Sequence, residues 1–171
     1  MSADAEALFA EHREPLFRYL CRAAGQADAA RDLTQDVFLR VSRTAIPSAS
    51  RPEVQAWLFR IARNLVIDYH RRRHRAPLTV TLDHAGQRPA SQDVSAAVNQ
   101  ALGTLADLDR DVFLMREVAG LGYDEIANVC DLSPDAVRSR IHRTRLRLRQ
   151  DLAAPIARHR TSTKTQSGRR L

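Results

Sequence analysis

The sequence predicts an all-α protein of two small helical domains joined by a flexible linker, and three observations carry that prediction. Apolar residues recur at three- and four-residue steps through most of residues 5–75 and 93–152, the period of amphipathic helices. Between them Ala76–Ser91, APLTVTLDHAGQRPAS, holds three breakers and no sustained period. A chain of 171 residues, 44% hydrophobic and 27% charged, has the composition of a globular protein and the length of one ordinary domain or two small ones. The expected division is a first domain over 1–75, a linker over 76–92, a second domain over 93–154 and a basic, disordered tail over 155–171.

The first helix is expected from Ala5 to Ala24, with Leu8, Phe9, His12, Leu16, Tyr19 and Leu20 near helical spacing. Pro15 should bend or split it at Glu14, and Gly25 should end it. Asp28 is a good N-cap for a second helix running to about Ser42. There Ala30, Leu33, Val37 and Val41 form an inner stripe, while Asp32, Gln35, Asp36 and Leu39 share the opposite face. An acidic-amide face with one exposed leucine suits a basic partner, although on periodicity alone simple solvation explains it better. Thr44–Arg51, TAIPSASR, is a loop by its Pro and Ser content.

The third helix runs from Pro52, whose missing N–H suits a first turn, to Arg75 before Pro77. Val54, Trp57, Leu58, Ile61, Ala62, Leu65 and Tyr69 fall on one side as a core stripe. Arg60, Arg63, Asn64, Ile67 and Arg71 fall on another, and Arg71, Arg72, Arg73, His74 and Arg75 follow with little acidic opposition. Like charge concentrated in this way points to contact with nucleic acid rather than a merely solvated face.

In the second half, Val94, Val98, Ala101, Leu102 and Leu105 mark one helix. Val112, Met115 and Ala119 mark the next, which Gly120 and Gly122 terminate, and Tyr123–Cys130 a third. Asp131-Leu132 then turns, Ser133 is an N-cap, Pro134 takes the first helical position, and a basic helix follows to about Leu152. A short helix, a tight turn and a longer basic helix make a helix-turn-helix. Val137, Ile141, Thr144 and Leu148 form its inner stripe, leaving Arg138 placed to read a guanine edge and Arg140, Arg143 and Arg145 to hold phosphates. The preceding helices are net acidic, so the basic charge is local and not a uniform bias of the chain.

Other chemistries find little support. His70 and His74 are four apart on a helix, but no third ligand accompanies them, so no metal site is expected. No nucleophile–base motif or phosphate-cradling glycine loop occurs, and neither an enzyme nor a cofactor is expected. Cys21 and Cys130 are isolated thiols, read as small buried hydrophobes. The N-terminal residues lack a targeting pattern and no run is long and apolar enough for a membrane span, so no stable membrane insertion and a cytoplasmic location are expected. Of the 27 Lys and Arg residues only Lys164 is lysine, which reflects genomic composition as readily as function.

Three segments together resemble bacterial RNA polymerase sigma factors of the extracytoplasmic-function group of the sigma-70 family. ADAARDLTQDVFLRV is similar to the core-binding helix of region 2, QAWLFRIARNLVIDYHRRRHR to its promoter-melting helix, and LMREVAGLGYDEIANVCDLSPDAVRSRIHRTRLRLRQDL to region 4. The resemblance implies that Asp32, Gln35, Asp36, Phe38 and Leu39 meet the β′ clamp of core polymerase, with region 4 reaching the β flap. It places Arg60, Arg63, Asn64, Ile67 and Arg71 at the melted −10 strand. It places Ser133, Arg138, Ser139, Arg140, Arg143 and Arg145 at the −35 major groove. It also implies promoter melting by extrusion of a base and an anti-sigma factor as a partner.

Three departures accompany it. Thr44–Arg51 lacks the family's Gly-Asp-Ala-Ser-like run, Asp131 stands where the turn usually has Gly, and Gly122 replaces a usual Ser cap, which should weaken the start of its helix slightly. The competing reading is a stand-alone helix-turn-helix regulator, which would bind a duplex without polymerase.

Overall fold

The computed structural model describes residues 3–75 and 90–161 and, within them, consists of seven helices. In chain order they are α1 (Ala3–Ala24), α2 (Ala27–Arg43), α3 (Arg51–Arg75), α4 (Ala90–Gly103), α5 (Asp107–Glu117), α6 (Tyr123–Cys130) and α7 (Pro134–Thr161). No strand occurs among the described residues, so the all-α expectation holds.

The first three helices pack on one another. Leu16, Tyr19 and Leu20 of α1, Leu33, Val37 and Val41 of α2, and Leu58, Ala62 and Leu65 of α3 are all buried at their interface, as the periodicity requires. Pro15 does not split α1, which is continuous through it. The apolar turns on both sides of the proline are held on the core, and that packing outweighs the one missing hydrogen bond. Gly25 closes α1 at φ 74°, its N–H donating to the Cys21 carbonyl at 3.1 Å.

One local assignment changes. The N-cap of α2 is Gln26, while Asp28 sits inside the first turn and pairs with Arg31 at 2.8 Å. At α3 the Ser50 N–H and hydroxyl both donate to the Glu53 carboxylate, at 2.9 and 2.7 Å, a cap readable from the Ser-x-x-Glu spacing. Those two hydrogen bonds hold the Glu53 carboxyl below the usual range.

The last four helices form a second cluster, with α4, α5 and α6 each packed on α7. Val112 and Met115 of α5, Ile126 and Val129 of α6, and Val137, Ile141, Thr144 and Leu148 of α7 are buried. The turn between α6 and α7 is made as the sequence requires: Asp131 adopts the left-handed conformation at φ 55° and ψ 48°. Ser133 Oγ then accepts from the Ala136 N–H at 3.2 Å. Gly122 has no side-chain oxygen to offer α6, but the Glu125 carboxylate accepts its N–H and closes half of a capping box.

The boundaries expected for the linker and the tail both shift. Residues 76–89 lie outside the described residues, and α4 already begins at Ala90, inside the span assigned to the linker. Helix α7 passes Leu152 and reaches Thr161, running on through Pro155. Residues 162–171 of the expected disordered tail lie outside the described residues.

The two clusters touch, with α3 against α6 and α1 against α5.

Candidate nucleic-acid and protein interfaces

The outer face of α2 is assembled as its spacing predicts. Asp32, Gln35 and Asp36 are exposed, and Leu39 stands 51% exposed beside them. Phe38 does not join this face. It is only 5% exposed, with its ring edge-on to Phe9 at 4.5 Å between centroids and 72° between planes. Its expected role as a contact residue is therefore corrected to a core role: it anchors α2 to α1 from beneath the exposed carboxylates. An aromatic residue on the boundary of the inner stripe is decided by which neighbour reaches it, and Phe9 does.

Helix α3 is covered from more sides than one stripe allows. Phe59 is fully buried with its ring 5.6 Å from that of Tyr19, and Val66 is also buried, although neither lies on the expected stripe. Trp57, Ile61 and Tyr69, which do lie on it, are only partly buried. His70 is tied inward, with Nε2 2.9 Å from the Ala23 carbonyl oxygen. No cluster of metal-ligating side chains occurs among the described residues.

The five candidate residues for strand contact on α3 are not equally open. Asn64 and Arg71 are exposed and Ile67 is half-buried. Arg63 instead donates from Nε to Asp111 Oδ2 of α5 at 3.0 Å, in a pair whose side chains are 21% and 4% exposed. Arg60 donates to the Asn128 carbonyl at the C-terminal end of α6 and lies 3.5 Å from the Asp131 carboxylate. Burial pushes the Asp111 carboxyl above its usual range, with the Arg63 charge opposing that shift. Burial likewise pushes the neighbouring Cys130 thiol up to about 11 and the enclosed Tyr19 hydroxyl well above its usual value. Asp111 was not a candidate on sequence; a carboxylate inside the amphipathic pattern of α5 was the only available signal.

On α7, Ser133, Arg138, Ser139 and Arg143 are exposed along one side of the helix start. Arg138 pairs with Asp135 at 2.7 Å and lies over the Tyr123 ring at 5.2 Å, which props its guanidinium outward. Arg140 and Arg145 are held more closely. Arg140 binds Asp109 at 2.6 Å and Arg145 binds Glu117, so both brace α7 against α5.

This arrangement puts an open acidic-amide face, a basic helix partly covered by the second cluster, and an exposed helix-turn-helix on a single chain. Two family models match it in the same order: Sigma-70 region 2 over residues 8–76 and Sigma-70, region 4, over residues 95–148. The ECF RNA polymerase sigma factor SigL of Mycobacterium tuberculosis is 31% identical over 145 residues, spanning 80% of this chain and 81% of SigL. The chain belongs to the extracytoplasmic-function group of the sigma-70 family.

Other members are comparably similar. RNA polymerase sigma factor YlaC of Bacillus subtilis is 27% identical, with 86% of this chain and 91% of YlaC covered. ECF RNA polymerase sigma factor SigE of Mycolicibacterium smegmatis is 31% identical over 85% of this chain, which spans only 60% of SigE. Among solved structures, CnrH in complex with the cytosolic domain of CnrY superposes with a TM-score of 0.68 at 28% identity, covering 88% of each chain. The sigma factor RpoE of Bartonella quintana, solved with the anti-sigma factor NepR, reaches the same TM-score, 0.68, at 23% identity and shares the fold, with 89% of this chain and 98% of that one covered. No described helix of this sigma factor is long and apolar enough to cross a membrane.

Proposed function

We propose that this sigma factor binds core RNA polymerase, directs it to promoters with a −10 and a −35 element, and promotes their melting. The observation that carries this reading is the presence of regions 2 and 4 in order on one chain, with the faces of α2 and α7 both exposed. Asp32, Gln35, Asp36 and Leu39 offer the polymerase clamp acceptors around one apolar anchor. On α7, Arg138 and Ser139 face the major groove of the −35 element, and Arg143 takes a phosphate.

On α3, Arg60, Arg63, Asn64, Ile67 and Arg71 form the surface for the displaced −10 strand. Guanidinium groups hold its phosphates, and the apolar and amide groups between them receive an unstacked base. Phosphoryl transfer belongs to polymerase; this chain supplies positioning and strand capture and has no reaction of its own. Its place of action is the cytoplasm, with the polymerase. An anti-sigma factor that engages both regions is the further partner, a reading that follows from membership of the family. A stand-alone regulator is not favoured, since that role leaves region 2 without a use.

Run-off transcription on a library of upstream fragments from the source genome tests this reading. Purified core polymerase should yield specific transcripts only when this protein is added. No gain of transcripts, together with a duplex shift by the protein alone, would establish the stand-alone regulator instead.

A further inference from the structure

We infer that Tyr123 is a positioning residue for −35 recognition: its ring holds the Arg138 guanidinium in the orientation from which that side chain reads a base pair. This role rests on the assignment of Arg138 as the base-reading side chain and extends recognition to a residue outside α7.

An unrestrained arginine is a poor reader. Its long side chain spreads over many rotamers, and a two-pronged contact to guanine accepts few of them. Arg138 is exposed, yet two contacts restrict it. Asp135, one turn earlier on α7, accepts from its Nη1 at 2.7 Å, and the Tyr123 ring centroid lies 5.2 Å from its guanidinium carbon. The ion pair alone is a weak hold, because its side chains are 59% and 89% exposed. The ring attracts the cation through its π face and uses no N–H donor. The donors that Asp135 does not take therefore stay available to a base edge.

The ring is in turn fixed by α5. Arg116, in the last turn of that helix, places its guanidinium carbon 4.6 Å from the same centroid and donates from Nη1 to the Leu121 carbonyl at 2.8 Å. Tyr123 begins α6, whose start is secured where the Glu125 carboxylate accepts the Gly122 N–H. A line of contacts thus runs from Leu121 through Arg116 and Tyr123 to Arg138 and joins α5, α6 and α7. Arg140 and Arg145 are restrained differently, each bound to a carboxylate of α5 that takes up donors a nucleic acid would need. Of these three arginines, Arg138 is oriented with donors to spare. Packing of the helix start is the plainer account of a half-buried tyrosine, and it requires only an apolar side chain at position 123.

The full-length chain with core polymerase, transcribing a promoter randomised across its −35 element, separates the two accounts; barcoded transcripts report the yield of each template. Arg138→Ala first identifies the base pair that is read, as the one whose preference relaxes. Tyr123→Leu keeps an apolar side chain and removes the π face. Guanine preference at that base pair should fall about two- to fivefold, the size of one exposed cation–π contact, with the other −35 preferences unchanged. Tyr123→Phe should keep the wild-type preference, and Tyr123→Leu should add nothing in the Arg138→Ala background. Should Tyr123→Leu fail to melt cooperatively by circular dichroism, Asp135→Asn should lower the same preference about twofold by releasing the other hold on Arg138, and an unchanged preference there overturns the positioning role. That role is also overturned, with Arg138 keeping its reading, by a wild-type preference in Tyr123→Leu, by an equal loss at every base pair, or by a loss in Tyr123→Phe matching that in Tyr123→Leu. If Arg138→Ala relaxes no base pair, the base-reading assignment falls and the role of Tyr123 with it.

Discussion

Replacing Phe38 by alanine separates a core role from a contact role at a residue adjacent to the polymerase-facing surface. The side chain is 5% exposed and edge-on to Phe9, so truncation removes a buried ring and one aromatic pair. Buried Phe→Ala changes cost about 3–5 kcal/mol, a large share of the roughly 5–15 kcal/mol that keeps a domain folded. At about 3 kcal/mol the melting temperature of a chain of this size should fall by roughly 6–12 °C. Phe38→Leu, which keeps most of the volume, should cost about 1.5 kcal/mol or less and retain polymerase binding. Leu39→Ala, at a side chain 51% exposed, should leave melting nearly unchanged and weaken polymerase binding. Thermal melts by circular dichroism and co-purification with core polymerase read both quantities. If Phe38→Ala melts with the wild type while Phe38→Leu loses polymerase, the ring faces the partner and the core assignment is wrong.

Three further outcomes are expected. Asp32→Ala with Gln35→Ala, both at exposed positions, should reduce co-purification with core polymerase without lowering the melting temperature; undiminished recovery would remove α2 from the interface. Arg138→Ala should relax preference at one −35 base pair by about 1–3 kcal/mol, and equal run-off yields from promoters mutated there in wild type and variant would refute base reading. His12 is buried and its pKa is lowered from 6.5, chiefly by burial, with Glu11 opposing and Arg51 assisting. The unfolded chain therefore takes up the proton first, so stability should be full above pH 6.5 and fall as the pH drops below it. Urea titrations on both sides of that value should show the loss, and His12→Gln should reduce it.

Much of the helical framework and two of the three candidate faces were legible in the sequence because local rules determine them. The steps of Ala30, Leu33, Val37 and Val41 turn Asp32, Gln35 and Asp36 to the opposite, polar side of α2, where all three are exposed. Ser133 and Pro134 start α7, and Asp131 turns the chain before it, through chemistry contained within a few residues. Helix ends were less legible. The N-cap place of α2 falls to Gln26, which makes no side-chain capping bond, so backbone geometry and not the best capping side chain sets that end, and α7 outruns its expected end by continuing to Thr161.

The sequence by itself determined the helices, their inner stripes and the charge carried by each outer face. Only the tertiary structure decided which outer face is covered. Phe38 turns inward because Phe9 reaches it, and Arg63 is half-hidden because Asp111, distant in sequence, meets it across the two helical clusters. Periodicity reports which side of a helix is apolar. It carries no information about a polar side whose burial depends on a complementary charge brought from elsewhere in the chain.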